Sequence, residues 1–539
     1  MRLVTLLVLL FASALSAATF YVDPARGKES NNGSKAAPWS TLEAVVNGGH
    51  LRDVQPGDTI LLRDGMHGRV VFSGRNEDFI TIAADEGCRP KLSYLEITSG
   101  TKWHIKGLTI SASFGDPYDG AMLKFADGGE SEQITVEDCF VYGALDASKW
   151  TAEQWMKCNS GITMGRYGKG HLLRNNYVMN TRFGIALCAE DSTCEGNVVS
   201  HFSGDGIRTT RDGQVVQHNV IRNVCVSAKD GDDNHDDAIQ CFLFNKGTGT
   251  VRNVTIRENL IIMRESEELP WLADMQAIGC FDGPLIGFLV EGNVINTSHW
   301  HGVTLFDAQD CKILSNVAYT QWTEAKLRPW VQLGGKNKGE IKGNTVKDNY
   351  AYTFDLKADK DVVAENNKVV TEDIYNTRRE ELLKLINEKY GDVHPAAGFR
   401  RVGLEKPRWL EGRVVEGENG KVIDSVQSSL NQGKLIVLFV FTRDVKDKRG
   451  TETSTEFERE VLDDEAVGKL LDDCATVGVQ LGDDLPRDVK KRYGISKSPQ
   501  VVILNPDGSE AWSGKPNNAK ALIKKLESAR DELANPGGD

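Results

Sequence analysis

The chain has 539 residues, 40% of them hydrophobic, which is length enough for two domains and ample material for a core. Its formal net charge of -13 argues against nucleic-acid binding, which wants a basic surface, while leaving room for a local basic groove. Ten cysteines over this length do not make a disulfide scaffold.

Met1 to Ala18 opens with Arg2, runs apolar from Leu3 to Leu15 and ends in Ser16, Ala17 and Ala18. A basic start, a short apolar core and small exit residues predict a secretory signal over residues 1–18 and a secreted or periplasmic protein. The run is too short to span a bilayer, and no later stretch is long and apolar enough, so no transmembrane anchor is expected.

From Phe20 to Pro90 the pattern predicts a helix over Thr41 to Val46 and a first strand at Thr59 to Arg63. Short strands follow at Leu108 to Ile110, Ile134 to Val136 and around Val141. An excursion from Asp146 to Cys158 carries Trp150 and Trp155, which either stack on sugar rings or form a small core of their own.

A repeat then takes over. Ser160-Gly161-Ile162-Thr163 returns as Phe183-Gly184-Ile185-Ala186, Asp205-Gly206-Ile207-Arg208, Asp237-Ala238-Ile239-Gln240, Gln276-Ala277-Ile278-Gly279 and His301-Gly302-Val303-Thr304. Asparagines recur in step at Asn176, Asn197, Asn219, Asn259, Asn293 and Asn316, the first three spaced by 21 and 22 residues. That length fits one coil of a parallel β-solenoid, three short strands and three turns, with Gly and Asn at the bends. Because strand side chains alternate, the Ile of each copy points inward and the next residue outward. Arg208, Gln240 and Thr304 then share an outer face, with Asp205, Asp237, Gln276 and His301 at the strand entry beside it.

Cys241 and Cys280 fall at equivalent inward positions and read as stacked core thiols or, second, a bridge; Cys188 and Cys194 are a further bridge candidate. The repeats fade after Asn367, where Thr377 with Glu380 predicts a capping box for a helix ending at Tyr390, taken as the lower cap of the solenoid.

These columns resemble the right-handed parallel β-helix proteins of the pectate-lyase-like superfamily. The opening segment is similar to that of many secreted polysaccharide lyases of this fold. The resemblance implies a mostly β chain, with a right-handed parallel β-helix over residues 19–400.

Chemistry is expected where the repeat enlarges. The insertion Lys229-Asp230-Gly231-Asp232-Asp233-Asn234-His235-Asp236-Asp237 crowds five carboxylates, which repel unless a cation or basic group screens them. Ca2+ takes oxygens from such a cluster, so Asp205, Asp232, Asp233 and Asp236 are candidate metal ligands. Arg166, Arg182 and Arg211, with Gln240 and Gln276, are candidates for holding an acidic polysaccharide, since guanidinium forks match carboxylates. Arg208, Lys229, His235, Asp237 and His301 are the candidate catalytic groups.

Calcium-dependent pectate lyases of this fold use clustered Asp ligands and a basic residue, which Asp232-Asp233-x-x-Asp236 resembles; that implies metal-assisted β-elimination on a uronate polymer. The strings at Asp205, at Asp236 with Asp237, and at His301 resemble the columns of polygalacturonase-type glycosidases, with an extra coil at Gln276 intervening. That second resemblance implies paired acid and base carboxylates. A uronate epimerase and a non-catalytic sugar-binding or scaffold protein are the remaining readings.

Residues 401–420 read as a charged linker, and residues 421–535 as a smaller α/β domain with strands at Leu435 to Phe441, Ala475 to Leu481 and Gln500 to Leu504. Helices are expected at Ser454 to Leu471 and Leu485 to Tyr493. The segment from Tyr493 through Gly494, Ile495 and Pro499 to Val502 is similar to the cis-proline segment of the thioredoxin-like fold, lacking cysteines in Thr442 to Asp447 where the redox pair belongs. Such a domain implies docking, and so a possible protein partner, rather than thiol exchange.

Overall fold

The computed structural model describes residues 17–125, 129–147, 149–225, 235–241, 250–265, 274–322, 327–335, 340–356 and 361–390, then 414–415, 434–441, 457, 461–462, 465–471, 474–480, 491, 495, 498–506 and 509–534. The chain divides into two compact units, Met1–Phe399 and Arg400–Asp539.

The first unit is a parallel β-helix: in every strand pair of its long sheets the neighbours run parallel, each coil stacking on the one before. The strands form three faces. One carries Ser160–Met164, Ile185–Leu187, Ile207–Thr209, Asp237–Cys241, Gln276–Cys280, His301–Phe306 and Trp330–Gly334. A second carries Leu172–Arg174, Thr193–Glu195, Val215–Gln217, Thr255–Arg257 and Leu289–Glu291, and a third Tyr177–Thr181, Val198–Phe202, Val220–Val224, Leu260–Ile262 and Val294–Asn296. The repeated aliphatics fill the interior: Ile207, Ile239, Ile278 and Val303 are fully buried and lie in one register row.

Seven coils bend from the second face to the third through one left-handed residue followed by a buried asparagine. Asn175, Gly196, His218, Glu258, Gly292, Ser315 and Asp348 have φ between 51° and 65°, a conformation that costs most side chains something and glycine nothing. The asparagines form a ladder. The backbone N–H of Asn219 donates to Asn259 Oδ1 at 3.0 Å and its Nδ2 to the same oxygen at 2.9 Å, and Asn259 repeats both bonds onto Asn293. The row extends past Asn316 to Asn349 and Asn367. The small residue ahead of each inward aliphatic has its own cause: a Cβ on Gly206 would meet Ile221 Cγ2 of the opposite face at 2.6 Å.

Several expectations change. An earlier strand, Thr19–Val22, pairs with Thr59–Leu62, so the latter is not the first. The short helix is Leu42–Asn47, capped by the Thr41 hydroxyl. Cys188 and Cys194 are buried and not joined by a disulfide, and the same holds for Cys241 and Cys280, which sit side by side in register. Trp155 is 2% exposed and packs with Ala147, Cys225 and Trp150, so the excursion forms its own small core and no sugar platform there. The late helix runs over Glu372–Tyr390 with Thr371 Oγ1 accepting from Ile374 N–H, which leaves Thr377 in its interior. Instead of capping the bottom it lies against the outer side of the third face, Tyr375, Leu382 and Ile386 packing with Val198, Val220, Leu260, Val294 and Val317.

In the second unit five strands are ordered first, third, second, fourth, fifth: Val414–Val415, Ala475–Gln480, Ile436–Phe441, Gln500–Leu504 and Glu510–Gly514. The first three are parallel and the last two antiparallel, with a cis Ser498–Pro499 bond before the fourth. Val414–Val415, read as linker, is thus a strand, and the helix Ala519–Ala534 closes the unit. All but Lys491 of the helix expected at Leu485 to Tyr493, the Thr442 to Asp447 loop and most of the signal segment lie outside the described residues.

Candidate active site

Register places the chemistry. On the first face, Arg208 pairs with Gln240, Gln240 with Gly279, Gly279 with Thr304 and Thr304 with Gln332, which is the outward row. Asp237 pairs with Gln276 and His301 with Trp330; counting back two from Ile207–Ile239 and from Ile278–Val303 adds Asp205 and joins Gln276 to His301. Asp205, Asp237, Gln276, His301 and Trp330 therefore form a row at the strand entry, one per coil, at about 4.8 Å per step.

The two central carboxyls are unlike. Asp205 accepts from Arg208 Nε at 2.5 Å through Oδ2 and from the Asp237 backbone N–H at 3.2 Å through Oδ1. It is the ion-paired member, and the guanidinium also lies 3.6 Å from the centre of the Phe183 ring. Asp237 is fully buried; its Oδ2 accepts from Gln240 Nε2 at 3.1 Å, while Oδ1 has no hydrogen-bond partner. Burial first, and then the Asp205 charge, push the Asp237 carboxyl well above the usual carboxylate range. It is protonated at a pH where an exposed aspartate is not.

Room for that carboxyl comes from Gly279 in the next coil. A Cβ there would overlap Asp237 Oδ1 and the Phe281 ring. Gly279→Ala should therefore displace the carboxyl and lower turnover about 100-fold, the cost of a misplaced catalytic group of roughly 1 Å. Measuring kcat beside the thermal midpoint checks this, because a mutant that simply unfolds would lose both.

His301 is held from behind. Trp330 Nε1 donates to its Nδ1 at 3.3 Å, and Thr304 Oγ1 lies 2.8 Å from the same atom. Since an indole N–H can only donate, Nδ1 accepts and the ring proton sits on Nε2. Burial, with His299 and His235 nearby, lowers its pKa to about 4, so the ring is neutral at ordinary pH. His235 and His301 flank the Phe281 ring at 6.3 and 4.9 Å, and His299 stacks on His301 at 5.3 Å.

Of the candidate residues, the structure brings together Asp205, Arg208, Asp236, Asp237, Gln240, Gln276, His235 and His301. Lys229, Asp232 and Asp233 lie outside the described residues. The three arginines expected as a clamp sit at different places along their coils. Arg182, at a strand entry, donates to the carbonyl and hydroxyl of Ser203; Arg166, beyond a strand end, lies over Tyr167; Arg211 sits in the turn beyond Thr209. Arg208, engaged by Asp205, is not free to act as a base. Of the candidate calcium ligands only Asp205 and Asp236 are described, and among the described residues no three His, Cys, Asp or Glu side chains converge. Sequence reasoning missed Phe281, Trp330 and Gly279; the last carries a signal, being a glycine where its neighbours in the outward row have side chains.

No protein-family model matches the chain, and no curated protein matches it. Among solved structures it is similar to a GH136 lacto-N-biosidase from Eubacterium ramulus, 14% identical over 65% of this chain and 67% of that one, TM-score 0.36. It is also similar to the A-module of the mannuronan C-5 epimerase AlgE4 from Azotobacter vinelandii, 13% identical over 61% and 91%, TM-score 0.39. An alginate lyase from a Paenibacillus species is 14% identical over 65% and 99%, TM-score 0.34. The strand pairing itself, parallel coil on parallel coil with an asparagine ladder at one bend, makes the first unit of this chain a parallel β-helix.

Proposed function

We propose that the β-helix unit is a carbohydrate-active enzyme, exported from the cell, that cleaves a glycosidic bond of a polysaccharide by acid–base catalysis. The observation that carries this is the unequal pair Asp205 and Asp237. A carboxyl kept protonated by burial beside one held as an ion pair is the arrangement that lets one group donate a proton while the other faces positive charge developing on the sugar. Asp237 gives its proton to the departing oxygen as the glycosidic bond breaks, and water bonds to the anomeric carbon and releases a proton that restores Asp237. The Asp205 carboxylate, held in place by Arg208, faces the charge developing on the sugar, and the Nε2–H of His301 is a neutral donor to a substrate hydroxyl.

Elimination from an acidic, uronate-containing polymer, with Ca2+ as cofactor, is the second reading, favoured by the buried Asp236 beside Asp237. Uronate epimerisation shares its chemistry up to proton removal. One experiment separates them: incubate the purified chain with a panel of polysaccharides, with and without chelator. New reducing ends without an unsaturated product support hydrolysis. Chelator-sensitive ultraviolet absorbance from unsaturated ends would replace it by elimination, and no new ends on any polymer would remove the cleavage reading altogether.

Turnover should be full on the acid side of Asp237's raised pKa and fall as pH climbs through it, because the donor is lost there. A pH–rate profile checks the sign; a rate that rises on the alkaline side would make Asp237 a base. We read the second unit as thioredoxin-like from its strand order, and as a docking module because its sequence holds one cysteine, Cys474, where thiol exchange uses an attacking and a resolving thiol.

A further inference from the structure

Three coils from Asp205 along the strand-entry row, the surface changes from charged to aromatic. Trp300, just ahead of His301, is 46% exposed and is the one exposed tryptophan among the described residues. Its indole stacks on that of Trp330 at 5.7 Å and 22°, and His299 lies 6.1 Å away. The backbone beneath is pinned, since the Trp300 carbonyl accepts from both Gly302 N–H at 2.9 Å and Trp330 N–H at 2.8 Å. A register shift between His301 and Val303 marks a bulge at Gly302, a device that re-aims the side chains beside it. An aromatic face fixed in this way and left open to solvent is set to receive a flat apolar ligand surface without losing side-chain freedom on binding.

The charges nearby argue about what that ligand is. Arg208 is bound by Asp205 and Arg182 by the Ser203 carbonyl and hydroxyl, while the outward row beyond Arg208 is Gln240, Gly279 and Thr304, none of them charged. A uronate carboxylate laid along this row would meet Gln240, Gln276 and a neutral His301, none of them a cation. An uncharged pyranose would meet the partly exposed amides of Gln240 and Gln276 and then an indole face.

We propose that Trp300, backed by Trp330, is a stacking subsite for an uncharged sugar ring two to three coils, about 10–14 Å, along the axis from Asp237, and that the polymer bound here is a neutral glycan. The inference rests on the reading of Asp237 as the centre of the site, but its test does not need turnover. Titrate wild type, Trp300→Ala and Trp300→Phe with cellohexaose, laminarihexaose and xylohexaose, and with hexamers of galacturonate and of mannuronate, following tryptophan fluorescence and binding heat.

At least one neutral hexamer should bind wild type, lose about 2- to 12-fold in affinity in Trp300→Ala, and regain most of it in Trp300→Phe. On a substrate that is turned over, KM should rise by the same factor with kcat little changed, and a disaccharide should not sense the substitution. Equal binding by wild type and Trp300→Ala, binding of uronate hexamers alone, or no binding by any neutral hexamer would each overturn the proposal. Trp300-dependent binding without cleavage would sink the hydrolase reading and leave this one standing; cleavage indifferent to Trp300 would do the reverse.

Discussion

Asp237→Asn should keep the fold and lose about 10²- to 10⁴-fold in kcat on whichever polymer the wild type cleaves, the range for removing a general acid. The amide can still accept from Gln240 and fit over Gly279, so shape is preserved while the transferable proton is gone. Stability should move the other way. The folded state holds the Asp237 proton to a higher pH than the unfolded chain does, so the wild type is most stable, as far as this group goes, below the ordinary carboxyl pKa. It loses that margin as pH rises through the folded value. The asparagine variant has no such slope and should melt at or above wild type at alkaline pH. An inactive variant that melts lower than wild type at pH 8 would mean Asp237 is a structural group instead.

The largest stability loss is expected from the asparagine ladder. Asn259 sits mid-row: its Oδ1 takes two bonds from Asn219, and its Nδ2 donates to the Val216 carbonyl at 3.0 Å and to Asn293 at 2.9 Å. Leucine fills a similar volume but leaves the Asn219 backbone N–H, one Asn219 amide proton and a carbonyl buried and unpaired. At about 1–3 kcal/mol for each stranded group, Asn259→Leu should cost on the order of 3–5 kcal/mol. Urea unfolding checks the figure, and a loss under about 1 kcal/mol would show that water or relaxation rescues the gap.

Register was legible in the sequence because it repeats. Six aligned Gly/Ala–Ile/Val strings and six asparagines fixed which residues share a coil position, and Asp205, Asp237, Gln276 and His301 fell into one row as expected. What could not be read were pairings within the row. Nothing in the order of residues says that Arg208 turns back onto Asp205, three positions earlier, or that Arg182 bonds Ser203 in the following coil. One arginine counted as a clamp and one counted as catalytic were thereby already engaged. The late helix was misplaced for a related reason. A Thr followed three residues later by Glu marks a helix start only when the preceding turn is not helical, and Thr377 fails that condition because Thr371 caps first.

That same helix changes how the solenoid should come apart. A stack of coils, each touching only its neighbours, frays from the ends one unit at a time. Here 19 residues of helix, about 28 Å long, lie along roughly five coils. Its first turn stacks Tyr375 on Tyr319 at 4.8 Å, and its last residue, Tyr390, lies 3.0 Å from His218 Nδ1 through its hydroxyl. Coils between those points cannot peel away singly without first detaching the helix. They should exchange their amide hydrogens as one cooperative block, while the strands of the first coils, outside its reach, open independently.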